Sequence, residues 1–162
     1  ACFGETAEEA YLKSLLSTGL SLKNKSALIS IGGADFKLKF AESIWRLKNL
    51  GFKLYATKNT RLFLKTKGVR TKLAYKLFEK ARPTVIDLIE KHKVSLVINL
   101  SEDYNNDSSF KRVITDGYLI RRAAIDNNIP LFTDLNSARF FVNALDRYKI
   151  SDLKIKSWDE YL

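Results

Sequence analysis

Hydroxyl and ammonium groups that suit a phosphate group lie at several predicted junctions between strands and helices. Thr57 and Thr60 form a Thr-x-x-Thr step between a predicted strand and the helix after it. A helix amino terminus carries about half a positive charge and offers unpaired backbone N–H groups to an anion. Lys37 opens the helix after the first predicted strand, and Lys76 follows the third. This spacing predicts a phosphate site, although such threonines also serve simply as helix caps and such lysines are often solvated.

Further polar side chains end the other predicted strands. Ser30 ends the first strand, Asn99 and Ser101 end the fourth, and Thr133 ends the fifth. In parallel sheets, ligands bind beyond the carboxyl ends of the strands, near the point where the strand order reverses. Asn99 offers both a donor and an acceptor to a sugar or a base. Its alternative role is an Asx turn into the following loop.

The scarcity of metal-ligating and nucleophilic residues excludes several function classes. Cys2 is the only cysteine and His92 the only histidine, so zinc fingers, Cys/His metal cages and disulfide scaffolds are excluded. A Ser-His-Asp triad would have to use His92. We predict no metal site, no catalytic residue and no cofactor other than a bound effector.

Length and composition are those of one folded domain. The chain has 162 residues, of which 46% are hydrophobic, enough to build a core without a disulfide or a metal. No apolar run approaches the ~20 residues that span a bilayer, so we expect no membrane partner. The chain has no methionine. Residues 1–9 lack the basic and apolar regions typical of a signal peptide, and we expect the chain to be a piece of a longer or processed protein.

One basic segment carries most of the net charge of +10. From Lys58 to Arg82 there are nine basic residues against Glu79 alone, a local net charge of +8. Such a field attracts phosphate groups, an acidic partner or nucleic acid, or it belongs to a solvated helix face and loop. Its aromatic residues would suit base stacking, but Phe63 and Phe78 fall at apolar positions and are predicted to be core, which disfavours nucleic acid.

The apolar pattern predicts alternating strands and helices. The strands read as continuous apolar runs, which is typical of a parallel sheet covered on both faces. Thr6 and Glu9 fit a capping box, and Pro83 fits the first turn of a helix. Residues 153–155 are a possible strand and residues 158–162 a terminal turn. The predicted strands are residues 26–31, 52–56, 69–74, 96–98 and 131–133; the predicted helices are residues 6–17, 36–50, 60–67, 83–92, 113–127 and 137–147.

Four short motifs together resemble a known family. They are Leu28-Ile-Ser30, Ala56-Thr57-x-x-Thr60, Val97-Ile-Asn99-Leu-Ser101 and Tyr118-Leu-Ile-Arg-Arg-Ala-Ala124. The chain is similar in these motifs to the C-terminal allosteric domain of the carbamoyl-phosphate synthetase large chain, a methylglyoxal-synthase-like domain. Residues 1–5 and 11–19 resemble the junction from the preceding synthetase domain. The resemblance extends from residue 1 to about residue 145.

The resemblance implies a fold and a regulatory role. The fold would be three α/β/α layers with a five-stranded parallel sheet, doubly wound as in flavodoxin. The chain would divide into a junction helix at 1–22, the allosteric domain at 23–148 and a tail at 149–162. It would do no chemistry, but would bind an effector that tunes ATP-dependent carbamoyl phosphate synthesis for pyrimidine and arginine biosynthesis.

The family's ligand and partners are implied in the same way. The effector is a nucleotide phosphate in bacterial-type members. The partners are the synthetase domains of the same chain and a glutaminase subunit or domain. The compartment would be the cytoplasm, or the mitochondrion for an enzyme of the urea-cycle type.

The resemblance also implies which residues of this chain bind the effector, because their positions match effector-binding positions of the family. Thr57, Thr60 and Lys37 would hold the phosphate, and Lys76 would reach the phosphate or the ribose. Asn99 and Ser101 would line the nucleoside side, and Ser30 matches a further effector-binding position. Thr133 matches a position that senses ornithine at the domain boundary in some bacterial members. The residues that match positions near the base are Asp116, Leu119 and Ile120.

The chain departs from the family pattern at three places. Asn59 replaces a glycine of many members, and Asn can adopt the left-handed conformation that such a position needs. Asn99-Leu100-Ser101 replaces the Asn-Thr-Thr of many nucleotide-regulated members. Urea-cycle members bind N-acetylglutamate and carry an aromatic residue where this chain has Tyr75, but the lysine that follows it here favours a phosphate ligand. The acidic loop 102–109 is not placed by the resemblance.

The main alternative to a regulatory domain is an enzyme with the same fold, methylglyoxal synthase. Its reaction needs carboxylate bases beside the phosphate pocket and, by resemblance, histidines there. His92 is predicted on the far side of the sheet. Asp103 and Asp107 lie in a loop without the aspartate–proline context of that family.

Overall fold

Five parallel strands form one sheet at the centre of the protein. The computed structural model describes residues 1–22, 24–101, 110–154 and 156–161. The strand order is β3-β2-β1-β4-β5, and all neighbouring strands are parallel. The strands are β1 (Ser26–Ile31), β2 (Lys53–Ala56), β3 (Lys72–Leu73), β4 (Leu96–Leu100) and β5 (Leu131–Phe132).

Helices alternate with the strands along the chain and cover both faces of the sheet. Short 3₁₀ turns occupy Leu77–Glu79, Ile150–Asp152 and Trp158–Tyr161. Among the described residues, no helix is both long and apolar enough to cross a bilayer. The helices are α1 (Ala7–Ser17), α2 (Ala34–Asn49), α3 (Lys58–Thr66), α4 (Val85–Glu90), α5 (Phe110–Asp126) and α6 (Leu135–Arg147).

The two-residue alternation of β1 and β4 divides the apolar core into two clusters. Ile29 and Ile98 point into a cluster shared with α1, α2, α3 and α6. Leu28 and Val97 point the other way, into a cluster shared with α4 and α5. Every residue of both strands is buried, and each fully buried aliphatic side chain stabilises the fold by roughly 1.5–3 kcal/mol. The three-layer α/β/α fold with five parallel strands is therefore confirmed.

The order of the strands differs from that of flavodoxin. Flavodoxin-like sheets have the order 2-1-3-4-5, whereas this sheet has the other common doubly wound order, 3-2-1-4-5. The difference arises because the chain continues outward from β2 to β3 before it crosses back to β4. The strand order therefore reverses between β1 and β4, which is where ligands bind in such sheets.

Helix starts were predicted less accurately than strands. Pro83 does not lie in a first helical turn, because its carbonyl accepts from Tyr75 in an extended segment and Thr84 caps α4 instead. The backbone N–H and hydroxyl of Thr84 both donate to Asp87 and lower the pKa of that carboxyl to about 2. Thr6 caps α1 as expected, but Glu9 accepts from the N–H of Glu5, one residue beyond the capping-box partner.

The last part of the chain also differs from expectation. No strand forms at 153–154, because a 3₁₀ turn precedes Leu153 and that side chain packs against the first core cluster. Ile155 and the loop 102–109 lie outside the described residues. Helix α1 packs against the rest of the chain: Leu12 is fully buried, and the Thr6 and Tyr148 hydroxyls lie 2.8 Å apart. The proposed domain boundaries stay predictions.

Candidate functional site

A cavity of about 240 Å³ lies where β1, β2 and the segment after β3 end. Residues 30–33 contribute the turn from β1 into α2, and residues 57–59 contribute the turn from β2 into α3. Lys37 reaches the cavity from α2, and Lys76, Phe78 and Glu79 border it from the 3₁₀ turn. The cavity therefore joins the carboxyl ends of neighbouring strands, as expected for a ligand site in a parallel sheet.

The amino termini of α2 and α3 both open onto this cavity without a side-chain cap. Gly33 precedes α2 and Thr57 precedes α3, and neither helix has a hydrogen bond from a capping side chain. In contrast, Thr6, Thr84 and Asp134 cap α1, α4 and α6. The first N–H groups of a helix need a partner from outside the helix. Two sets of such donors, each with a positive partial charge, therefore converge on one small space.

Glycine at position 33 lets the chain enter α2 at this point. Gly33 has φ 67° and ψ 158°, a backbone conformation that is essentially restricted to glycine. Gly32 donates its N–H to the carbonyl of Leu100 on β4 at 2.8 Å. The turn is thereby held between the two central strands, beside the reversal of the strand order.

Three lysines and one carboxylate line the cavity. Lys37 is half-buried and Lys58 is exposed, and within the described part of the chain neither forms an ion pair. The carboxylate of Glu79 accepts from the backbone N–H of Lys76 at 2.7 Å, which ties it to its own turn. The cavity therefore carries a net positive charge, which suits an anionic ligand.

Lys76 is already bound to a carboxylate of α5. Its Nζ lies 3.0 Å from Oδ2 of Asp116, and the two side chains are 34% and 18% exposed. The same ammonium group lies 5.7 Å from the ring centroid of Phe78. An anion in the cavity would compete with Asp116 for this lysine.

The two threonines of the Thr-x-x-Thr step have different surroundings. Thr57 lines the cavity, is 4% exposed, and donates its hydroxyl to Oγ1 of Thr60 at 3.2 Å. Thr60 is 1% exposed, and its Oγ1 lies 3.1 Å from the N–H and 3.3 Å from the carbonyl of Ile31. Thr60 does not line the cavity. It attaches α3 to β1 and positions Thr57.

Ser30 and Asn99 lie side by side in the register of β1 and β4, so their side chains leave the same face of the sheet. Ser30 lines the cavity. Asn99 does not line the cavity; it is 5% exposed, and its side-chain amide donates to the carbonyl of Gly117 on α5 at 3.1 Å. Ser101 lies close to Gly32 at the end of β4.

The remaining predicted residues lie farther from the cavity. Ile120 is 1% exposed in the second core cluster, and Leu119 is half-buried. Thr133 is exposed and lines a different hollow of about 700 Å³ between α1 and the β5–α6 turn. The structure therefore brings four of the predicted residues together at the cavity, Ser30, Lys37, Thr57 and Lys76. Asp116 and Thr60 are each one hydrogen bond away, through Lys76 and Thr57.

Several cavity residues were missed in the sequence. Gly32 and Gly33 had a recognisable signal, because a Gly-Gly pair between a strand and a helix allows close approach of a ligand to the backbone. Asn59 lies inside α3 without a positive φ, so the left-handed conformation is not needed. Phe78 is 64% exposed, and its predicted place in the core was wrong. Phe63, in contrast, packs partly buried against the first cluster.

Groups for acid–base or metal chemistry are sparse around the cavity. His92 is exposed and follows α4, and Asn24 donates to its carbonyl at the amino-terminal side of β1, opposite the cavity. Asp103 and Asp107 lie outside the described residues. The part of the chain that the structure describes holds no cluster of three or more potential metal ligands.

A family model and the sequences of curated relatives point to the same family. The model of the MGS-like domain matches residues 39–133. The chain is 36% identical over 154 residues to multifunctional protein CAD of Squalus acanthias, covering 90% of this chain and 7% of that protein. It is 37% identical over 158 residues to the human mitochondrial carbamoyl-phosphate synthase [ammonia], covering 95% of this chain and 10% of that protein. The chain thus spans about a tenth or less of the length of these relatives.

A solved structure shares the fold. The methylglyoxal synthase of Elizabethkingia anophelis NUHP1 superposes with a TM-score of 0.53 at 15% sequence identity. The match covers 85% of this chain and 90% of that one. At this identity the likeness concerns the fold alone.

The different surroundings of the two threonines predict opposite effects of removing each hydroxyl. Thr60→Val should destabilise the fold by about 1–3 kcal/mol, because it leaves the backbone of Ile31 without its buried partner. Thr57→Val should leave stability within about 1 kcal/mol and weaken binding of pyrophosphate. Urea unfolding and calorimetric titration of both variants would measure this, and the reverse ranking would contradict the assignment.

The ion pair of Lys76 predicts that neutralising Asp116 strengthens anion binding. Asp116→Asn should raise the affinity for pyrophosphate by about two- to fivefold, since a partly exposed ion pair of this kind is worth about 1 kcal/mol or less. Asp126→Asn is the matched control, because Asp126 pairs with Arg122 on the same helix away from the cavity. Lower affinity in Asp116→Asn would mean that the carboxylate positions Lys76 for the anion.

Proposed function

The chain belongs to the MGS-like domain family, and we propose that it is the regulatory domain of a carbamoyl-phosphate synthase. In this role it binds a nucleotide phosphate and tunes the ATP-dependent synthesis of carbamoyl phosphate carried out elsewhere in the longer protein. The names of its relatives support the association, since they include carbamoyl-phosphate synthase and multifunctional proteins. The share of those proteins that the chain spans, 7–10%, fits one domain of a larger enzyme.

The convergence of two uncapped helix amino termini with three lysines carries the proposal for the ligand. A phosphate group supplies several oxygen acceptors and a charge of about −2 at neutral pH. Those oxygens can accept from the first turns of α2 and α3 and from Lys37 and Lys76. Each charge-assisted hydrogen bond is worth roughly 1.5–3 kcal/mol when it is well formed. No neutral ligand would use this arrangement as fully.

We assign the individual roles from the family resemblance, and burial separates residues that could contact the ligand from supporting ones. Lys37, Thr57 and the α3 backbone hold the phosphate, and Lys76 reaches the phosphate or the ribose. Asn99 and Ser101 stand on the nucleoside side, and Asp116 stands near the base. Thr60 and Ile120 belong to the supporting structure, because both are almost fully buried. Thr133, in the separate hollow, would serve a second effector or a domain boundary.

A regulatory role is favoured over a lyase because the cavity lacks free general bases among the described residues. Its one carboxylate, Glu79, accepts a backbone N–H of its own turn, and His92 lies at the opposite side of the sheet. In an allosteric domain, the ligand acts through a coupling free energy that is typically ~1–3 kcal/mol. The synthetase domains of the same polypeptide and a glutaminase would receive that coupling, in the cytoplasm or in the mitochondrion.

A thermal-shift panel tests the proposal. Uridine and inosine monophosphates or uridine triphosphate should raise the Tm, whereas uridine should not, because the phosphate supplies most of the contacts. Stabilisation reaches about 2.7 kcal/mol when the ligand is present at 100 times its Kd. The panel also includes N-acetylglutamate and ornithine, which are candidate effectors without a phosphate group. Equal shifts by uridine and its monophosphate would overturn the phosphate site.

A pair of lysine variants controls the panel. Lys37→Ala should abolish most of the nucleotide shift without lowering the Tm of the free protein. Lys39→Ala should keep the shift, since Lys39 pairs with Asp35 on α2 and does not line the cavity. If both variants lose the shift equally, general surface charge rather than the cavity binds the nucleotide.

A further inference from the structure

Phe78 is a large apolar side chain left open to solvent at the edge of the cavity. It is 64% exposed and lines the same cavity as Lys37 and Thr57. Its neighbour Leu77 is also exposed, at 45%. A single exposed apolar side chain needs no explanation, but an aromatic ring that borders a charged cavity has the chemistry to contact a planar group.

Local contacts hold the backbone turn that carries the ring. The 3₁₀ turn that carries it is closed by the Glu79 carboxylate on the N–H of Lys76 and ends at Lys80 in the left-handed conformation, with φ 49°. The ammonium group of Lys76 lies 5.7 Å from the ring centroid, within reach of a cation–π contact. Since the ring is still mostly exposed, a large part of its surface remains available.

The size of the cavity limits what it can enclose. Pockets that surround a drug-sized ligand measure roughly 300–1,000 Å³, whereas this cavity measures about 240 Å³. A phosphate and part of a sugar fit inside it, and a further ring system must lie at the edge. Phe78 is the aromatic side chain among the residues that line the cavity.

We propose that the phenyl ring of Phe78 stacks on the planar heterocycle of a ligand whose phosphate is held in the cavity. The proposal rests on the proposed phosphate site and adds a second recognition element, aromatic and not charged. The site would then select phosphate esters of aromatic bases over phosphate esters of sugars alone. Phe78 would be a specificity residue, and Lys37 and the amino termini of α2 and α3 would still hold the phosphate after its loss.

Three phosphate ligands separate stacking from phosphate binding. Uridine monophosphate has an aromatic base, 5,6-dihydrouridine monophosphate keeps a similar hydrogen-bonding edge without aromaticity, and ribose 5-phosphate has no base. The wild-type chain should bind uridine monophosphate more tightly than the other two by about fivefold or more, the factor that corresponds to 1 kcal/mol of stacking. Calorimetric titration measures the three affinities.

Variants of Phe78 assign the effect to the ring. Phe78→Leu should reduce the affinity for uridine monophosphate to about that for ribose 5-phosphate, whose own affinity should stay unchanged. Phe78→Trp should keep the preference. Trp45→Leu is the matched control, because Trp45 is 54% exposed on α2 and does not line the cavity.

The outcomes distinguish the two proposals. Equal wild-type affinities for uridine monophosphate and ribose 5-phosphate would overturn stacking and leave the phosphate site standing. A Phe78→Leu variant that weakens both ligands equally would also overturn stacking, since the ring would then only shape the cavity. If no phosphate ligand binds the wild-type chain, the proposed function itself is wrong, and the inference is overturned with it.

Discussion

The amino termini of α2 and α3 lie together because of the parallel sheet. A helix that follows a parallel strand begins at the carboxyl end of that strand, and β1 and β2 are neighbours in the sheet. Their two helices therefore start side by side, and neither has a capping side chain. The uncapped N–H groups need partners, and the surrounding lysines make an anion the best candidate. The positions of residues 30–33, Lys37 and residues 57–59 around the cavity follow from this constraint.

The lysine after β3 connects that site to the other half of the sheet. Lys76 precedes the 3₁₀ turn and binds Asp116 of α5, which covers the face opposite α2 and α3. Asn99 on β4 makes a second contact to the same part of α5, through the carbonyl of Gly117. A phosphate that draws Lys76 away from Asp116 would remove one of these two contacts. Ligand binding in the cavity would thus change the contacts of α5, which lies on the other side of the point where the strand order reverses.

Much of the fold could be predicted because buried parallel strands have continuous apolar sequences. The strand order could not, since the direction of the crossover from β2 to β3 leaves no local pattern. Lys37, Thr57 and Lys76 were found from their places at strand ends. The role of Thr60 was not, because its hydroxyl contacts the backbone of Ile31, far away in the chain. Phe78 was misplaced in the core, since apolar spacing is the same for a core turn and for a turn at the edge of a cavity.

The backbone N–H groups at the start of α2 and α3 can be observed directly by amide NMR during titration with uridine monophosphate. We predict that the largest shift changes occur at Gly33, Ala34, Lys58 and Asn59, with saturation at a single Kd. The capped amino termini of α1, α4 and α6 should stay nearly unchanged. Saturable shifts confined to other parts of the chain, with these four amides unmoved, would contradict the central claim.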